Sequence, residues 1–150
     1  DHVKPAVEAE GRLDMWQVAT KPGKPLAFGE IPRGDGKAWF IGLPGNPVSA
    51  IVTFMMTVRP FVLRLQGVEK VMPQVLTLTA EFDWPRPDKR REFLRVRVNA
   101  AGGLDLFPNQ SSGVLTSAVW ADGLVDNPSL QVIRRGDTVR FLPLAELIAR

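Results

Sequence analysis

Ala38-Trp-Phe-Ile-Gly-Leu43, followed directly by Pro44-Gly-Asn-Pro-Val-Ser49, is the stretch that decides the fold class. The first part is nearly all apolar and reads as a strand. A continuous apolar run of this kind suits a buried parallel strand. Pro44-Gly-Asn-Pro47 then breaks it, with Asn46 placed as an N-cap and Pro47 at the first helical position. Beyond the turn, Val48, Ile51, Val52, Met55, Met56, Val62 and Leu63 recur at helical spacing and give a wide apolar face to a helix reaching about Gln66. Pro60 is expected to kink that helix near its end, and Gly67 is a natural stop. Strand, turn and helix in this order are read as α/β architecture.

Working outward, residues 3–10 read as a short helix that Gly11 ends, and Met15–Ala19 as a strand. Lys21-Pro-Gly-Lys-Pro25 is excluded from regular structure by prolines flanking a glycine. Leu26–Gly29 reads as a short strand and Gly34-Asp-Gly36 as a turn. Composition changes after about residue 70. From there the chain reads as short strands at 75–82, 92–99, 103–107, 123–126, 129–133 and 138–142, with turns at Gly102-Gly103 and Arg135-Gly-Asp137. Such a series suggests a small β barrel or sandwich. The boundary is placed at residues 68–73, dividing the chain into 1–70 and 71–150. Neither internal repeats nor low-complexity tracts occur.

The 150 residues are 45% hydrophobic, enough for one ordinary domain or two small ones. Nineteen Lys and Arg against sixteen Asp and Glu leave a charge of +3, too mild for a dedicated nucleic-acid binder but able to help draw in an anionic substrate. The absence of cysteine excludes disulfides, thiolate catalysis and Cys-based zinc sites, and fits the cytoplasm. A single histidine, His2, excludes a His-rich metal site and a Ser-His-Asp set. The longest apolar stretch, Val48 to Val58, ends at Arg59, short of the ~20 residues a spanning helix needs. The chain opens on Asp1 and not Met, so a true N-terminus is expected upstream.

Four constellations are able to carry chemistry. Lys21-Pro-Gly-Lys24 follows a strand, at the edge where open α/β sheets bind ligands. Its two ammonium groups either converge on one multiply charged anion or are surface lysines on a solvated turn. Gly42–Ser49 joins a strand to a helix N-terminus, where first-turn N–H groups and the helix dipole favour an anion. It is neither a Walker A loop nor a dinucleotide fingerprint, and Ser49 falls at N3. The alternative is an ordinary turn with an Asn cap. Arg86, Lys89, Arg90, Arg91, Arg95 and Arg97 cluster around Asp88 and Glu92. Alternation puts Arg91, Phe93, Arg95 and Arg97 on one strand face, read either as solvated or as sending one or two arginines to an anion across a boundary. Asn109-Gln-Ser-Ser-Gly113 reads as a loop or helix cap.

These residues also carry a family resemblance. Asp1-His-Val-Lys4, Val18-Ala-Thr-Lys-Pro-Gly-Lys-Pro25 with Phe28-Gly29, and Gly42-Leu-Pro-Gly-Asn-Pro-Val-Ser-Ala50, in this order, resemble the molybdopterin molybdenumtransferases, the MoeA and gephyrin E-domain family. Asn109-Gln-Ser-Ser112 and Ala121-Asp-Gly-Leu124 look like that family's last domain. The resemblance implies a C-terminal fragment: the closing half of a three-layer α/β molybdopterin-binding domain, then a small all-β barrel. It implies insertion of molybdate into adenylated molybdopterin with release of AMP, and an isolated fragment that is inactive. Lys21 and Lys24 match the molybdate-site lysines. Gly42, Pro44, Gly45, Asn46, Pro47 and Ser49 match the loop that cradles the pterin. Arg90, with Arg91 next to it, and Ser112 match an arginine and a serine from the last domain. Asp1 matches an acidic position associated with Mg²⁺ and the adenylate. The resemblance further implies a cytoplasmic homodimer, with the molybdopterin adenylyltransferase as upstream partner and no role for nucleic acid or membrane. Gephyrin-type relatives add an alternative, a dimeric scaffold that binds peptide segments.

Overall fold

The computed structural model describes residues 2–16, 20–22, 26–111 and 115–145. Three of the predicted site residues, Asp1, Lys24 and Ser112, lie outside them. Helix α1 (Val3–Glu10) ends where expected, the Gly11 N–H donating to the Val7 carbonyl at 2.8 Å. A three-stranded antiparallel sheet follows: β1 (Arg12–Trp16), β3 (Leu26–Arg33) and β4 (Gly36–Gly42), in the order β1-β3-β4. Gly29 is required by the close pairing, since a Cβ there would lie 2.3 Å from the Arg12 carbonyl oxygen.

The apolar run of β4 is not a buried parallel strand. It pairs antiparallel with β3 across the Gly34-Asp35 turn, from Arg33↔Gly36 to Ala27↔Gly42. None of its residues is fully buried, and Trp39 is 40% exposed. The two-residue turn, with Gly34 at φ 57°, forces a hairpin whatever the hydropathy of its arms. One face is covered by a helix: Phe28, Trp39 and Phe61 pack with ring centroids 5.4–5.7 Å apart.

That helix begins at Pro47 as expected and runs as α2 (Pro47–Thr53), a π turn (Phe54–Val58) and α3 (Arg59–Leu65). The π turn answers Pro60. Proline has no N–H to donate back, and the ladder slips by one so that the Arg59 N–H reaches the Phe54 carbonyl. Gly67, at φ 84°, closes the helix. Its N–H donates to Arg64 and the Val68 N–H to Leu63, both at 3.0 Å, the paired bonds of a Schellman motif. By length and composition this 19-residue stretch is apolar enough to cross a membrane. Its Val48, Val52 and Met55 are buried against Phe93, Leu124 and Leu142, which gives it the role of a core helix.

The second sheet has six strands: β2 (Thr20–Lys21), β5 (Leu76–Thr79), β6 (Arg91–Val98), β7 (Leu104–Leu106), β8 (Gly123–Asn127) and β9 (Thr138–Pro143). The ladder order is β2-β6-β8-β9-β5, with β7 also on β6. This is a curled open path, not the closed barrel expected. Between β5 and β7 only a single bridge, Ala80↔Leu104, is made. Both strands are short, and Asp83 and Pro85 interrupt the chain beyond β5. The strand expected at 129–133 is instead a turn, with Leu130 at φ 60° and one bridge at Ile133. Helix α4 (Thr116–Trp120) has no counterpart in the sequence reading.

Two apolar cores sandwich β6. Leu94 and Val96 point into the curl of the sheet with Phe82, Leu104, Val125 and Phe141. Phe93 points the other way, under α2. The face carrying Phe93 and Arg95 is therefore not a solvated strand face, because the helix of the first unit lies on it. Lys21 also departs from expectation, since β2 is a regular strand of the second sheet.

Candidate oxyanion site

β2 runs parallel to β6, with Thr20 opposite Arg91 and Lys21 opposite Glu92. This pairing carries the Lys21 ammonium to 3.5 Å from the Asp88 carboxylate. Arg90 reaches the same carboxylate, Nε donating to Oδ1 at 3.1 Å and Nη2 to Oδ2 at 3.3 Å. Two cations proposed on separate grounds, one from each unit, thus meet at one anionic group. Both remain accessible, with side chains 47% and 41% exposed.

Asp88 is fixed by its surroundings. Its Oδ1 accepts from the Arg90 backbone N–H at 2.8 Å, a local Asx turn. Its own N–H donates to Glu92 Oε1 at 2.9 Å, and its carbonyl accepts from the Leu130 N–H at 3.0 Å. Glu92 is 2% exposed and also accepts from Trp84 Nε1 at 3.0 Å. A buried carboxylate is tolerated only when donors surround it, and here it ties down both ends of the 84–88 segment. The Arg90 donors, foremost its guanidinium, hold the Asp88 carboxyl well below the usual carboxylate range, and Asp88 in turn raises Arg90.

Arg91, the neighbour of Arg90, is committed elsewhere. It grips Asp126 with two bonds, Nε to Oδ1 at 2.6 Å and Nη2 to Oδ2 at 2.5 Å, and lies over the Phe93 ring at 5.0 Å. Arg140 adds a third contact to Asp126 at 3.6 Å. Of the two candidates, Arg90 is the one placed beside Lys21.

The Gly42–Ser49 loop contributes no group to these ion pairs. Its helix N-terminus is capped as predicted: Asn46 Oδ1 accepts from the N–H groups of Val48 at 3.2 Å and Ser49 at 3.4 Å, and its carbonyl accepts from Ala50 at 2.8 Å. Pro47 has no N–H. The first-turn donors expected to face an anion are therefore already engaged, although the dipole persists. What stays open is the Ser49 hydroxyl, 1% exposed and without a hydrogen-bond partner among the described residues. An unsatisfied buried hydroxyl costs about 1–3 kcal/mol. Replacing Asn46 by Ala is expected to remove about 1 kcal/mol of stability in a thermal melt, by freeing two N–H groups.

Arg95, named in the sequence only as one of the clustered basic residues, is buried. Its side chain is 1% exposed. Nη1 donates to the Phe93 carbonyl at 2.8 Å, Nη2 to the Gln110 carbonyl at 2.5 Å and Nε to Ser117 Oγ at 3.3 Å. Gln110 replies along the backbone, its Oε1 accepting from the Arg95 N–H at 2.9 Å and its Nε2 donating to the Arg95 carbonyl at 3.0 Å. The guanidinium so joins Gln110 to Ser117. It also borders a cavity of about 210 Å³ lined by Val48, Ile51, Val52, Met55 and Leu124. Burial pushes its pKa down to about 10, partly offset by the charge of Glu92. The available signal was alternation, which put Arg95 on the same face as Phe93.

Among the described residues no three His, Cys, Asp or Glu side chains gather to hold a metal, and Asp1 lies outside them.

An α/β unit followed by a β unit, with Lys21 and Arg90 brought together at Asp88, is the class of arrangement that the fold defines. Residues 1–64 match the family described as probable molybdopterin binding domain, and residues 77–144 the MoeA C-terminal region (domain IV). A molybdopterin molybdenumtransferase of Haemophilus influenzae is 32% identical over 157 residues, covering 99% of this chain and 37% of that protein. The molybdenum cofactor synthesis protein cinnamon of Drosophila melanogaster is 36% identical over 136 residues, covering 86% of this chain and 22% of that protein. The crystal structure of a molybdopterin biosynthesis MoeA protein from Pyrococcus horikoshii superposes with a TM-score of 0.73 at 28% identity, covering 93% of this chain and 34% of that one. The chain belongs to the MoeA family. It spans 37% or less of the length of these relatives.

Proposed function

We propose that this chain is the part of a molybdopterin molybdenumtransferase that holds molybdate for insertion into adenylated molybdopterin. The observation that carries the reading is the meeting of Lys21 and Arg90 at Asp88. Molybdate is a tetrahedral dianion, and fixed cations orient and neutralise such a group without reorganising. In this reading Lys24 and Ser112 complete the oxyanion site, and the Gly42–Ser49 loop receives the pterin, with the Ser49 hydroxyl as donor. Water cleaves the adenylate phosphoanhydride, releasing AMP and leaving the pterin phosphate, and the two dithiol S–H groups give their protons to one molybdate oxygen, which departs as water as both sulfurs bind molybdenum. The protein contributes position and charge, while the sulfur chemistry belongs to the pterin.

In the same reading, residues 1–70 are the closing half of a three-layer molybdopterin-binding domain. The intact protein is a cytoplasmic homodimer supplied by the molybdopterin adenylyltransferase. Relatives named molybdopterin molybdenumtransferase at about 30% identity support it. Calorimetric titration with molybdate, with sulfate as competitor, tests it. Lys21→Ala is expected to weaken molybdate binding about tenfold at low salt, from the loss of one unit charge beside a dianion. The effect shrinks as salt is added. Equal affinity in the variant and the parent chain refutes the assignment.

A further inference from the structure

We infer that Asp88 is an internal competitor for the oxyanion: its carboxylate takes the position between Lys21 and Arg90 that a tetrahedral dianion otherwise occupies. The inference rests on the reading of Lys21 and Arg90 as oxyanion ligands. Both cations already direct donors at Asp88, at 3.5 Å from Lys21 and at 3.1 and 3.3 Å from Arg90. The carboxylate cannot leave, because the Arg90 N–H, the Leu130 N–H and the buried Glu92 hold its turn in place. It is outcompeted rather than expelled. The carboxyl stays ionised far into the acid range, so the competition does not depend on physiological pH.

The local charge supports this. Lys21 and Arg90 bring two positive charges and Asp88 cancels one. Arg91 and Arg140 are engaged by Asp126, Glu92 is tied to Trp84 and the Asp88 backbone, and Arg86 and Lys89 add positive charge along the same segment. A site built only for tight binding does not place a carboxylate between its two cations. A site that must hand its anion on does better with weaker ground-state binding, since affinity for the bound substrate does not speed its transfer.

The test uses Asp88→Asn in this chain. Asparagine keeps the Oδ1 acceptor for the Arg90 N–H and removes the charge. Removing one negative charge ~6 Å from a dianion is expected to tighten molybdate binding roughly tenfold at low salt and about threefold at physiological salt. Perchlorate, a tetrahedral monoanion, is expected to gain half as much on a logarithmic scale. A structural effect would not give that two-to-one ratio. Asp88→Ser, whose hydroxyl also accepts within the turn, replaces the Asn variant if its melt shows loss of fold. If the uncharged variant binds molybdate no more tightly while Lys21→Ala loses binding, the competitor role is overturned and the oxyanion reading stands. If neither substitution changes molybdate binding, both fall.

Discussion

Replacing Arg95 by alanine is expected to destabilise the chain by about 3 kcal/mol, the largest single-residue effect predicted for its buried polar groups. The substitution deletes a long side chain from a site that is 1% exposed and removes the guanidinium donors from the carbonyls of Phe93 and Gln110 and from the Ser117 hydroxyl. Each unsatisfied acceptor costs on the order of 1 kcal/mol, and the cavity adds about 2 kcal/mol. Relief of a buried charge works in the opposite direction and keeps the total near 3. Arg95→Met separates the terms, since it refills the space, discards the charge and leaves the acceptors unmet. It is expected to cost about half as much. In denaturant unfolding the order Arg95→Ala, Arg95→Met, parent checks the account. Hydrogen exchange adds a local readout: amides near Gln110 and Ser117 should exchange faster in both variants. Unchanged exchange there would refute the idea that the guanidinium ties Gln110 to Ser117.

Glu92→Ala is expected to cost about 2–3 kcal/mol and, on the oxyanion reading, to weaken anion binding, although the Glu92 carboxylate, opposite Lys21 in the ladder, is engaged by the Trp84 indole and the Asp88 N–H. The carboxylate accepts from Trp84 Nε1 and from the Asp88 N–H while only 2% exposed. Its removal leaves two part-buried donors without their acceptor, and hydrogen bonds to charged groups are worth about 1.5–3 kcal/mol each before the released segment finds water. The loss passes outward: the turn that positions Arg90 beside Lys21 loses its anchor, and the separation of the two cations outweighs the relief of competition from Asp88. Glu92→Gln retains an acceptor and should fall between the two, near 1 kcal/mol. The Trp84 indole N–H resonance is the direct probe. It should move in both variants, and molybdate affinity should fall in proportion to stability lost. A variant that loses the indole bond yet keeps full affinity would separate the segment from the site.

Much of the local structure is legible from residue types. Asn46 and Pro47 cap and start the helix because their preferences act within one turn. Gly67, Gly102 and Gly136 stand at positive φ where the reading placed a stop and two turns. What failed involved partners. The apolar run of β4 looked buried and parallel because hydropathy records a strand's appetite for cover but not its neighbour. The barrel did not close because two short strands met at a single bridge. Lys21 was read as loop because proline follows it, and proline says nothing about the residue on the far side of a ladder.

The site divides the same way. Lys21, Arg90 and the Asn46–Ser49 turn were chosen from residue chemistry and resemblance, and the MoeA family membership those residues suggested stands. Asp88, Glu92, Arg95 and Gln110 were noted only as members of a cluster or loop, and Ser117 not at all, because a carboxylate among arginines looks like charge balance until its contacts are known. Sequence alone determined the helix, its caps, the turns and the kinds of group available for an anion. Only the tertiary structure decided which strand face is dry, which cations share one carboxylate and which arginine is buried. The physical reason is range. Capping and turn preferences act over a few neighbouring residues, whereas burial and charge pairing depend on elements that meet only once the chain has folded.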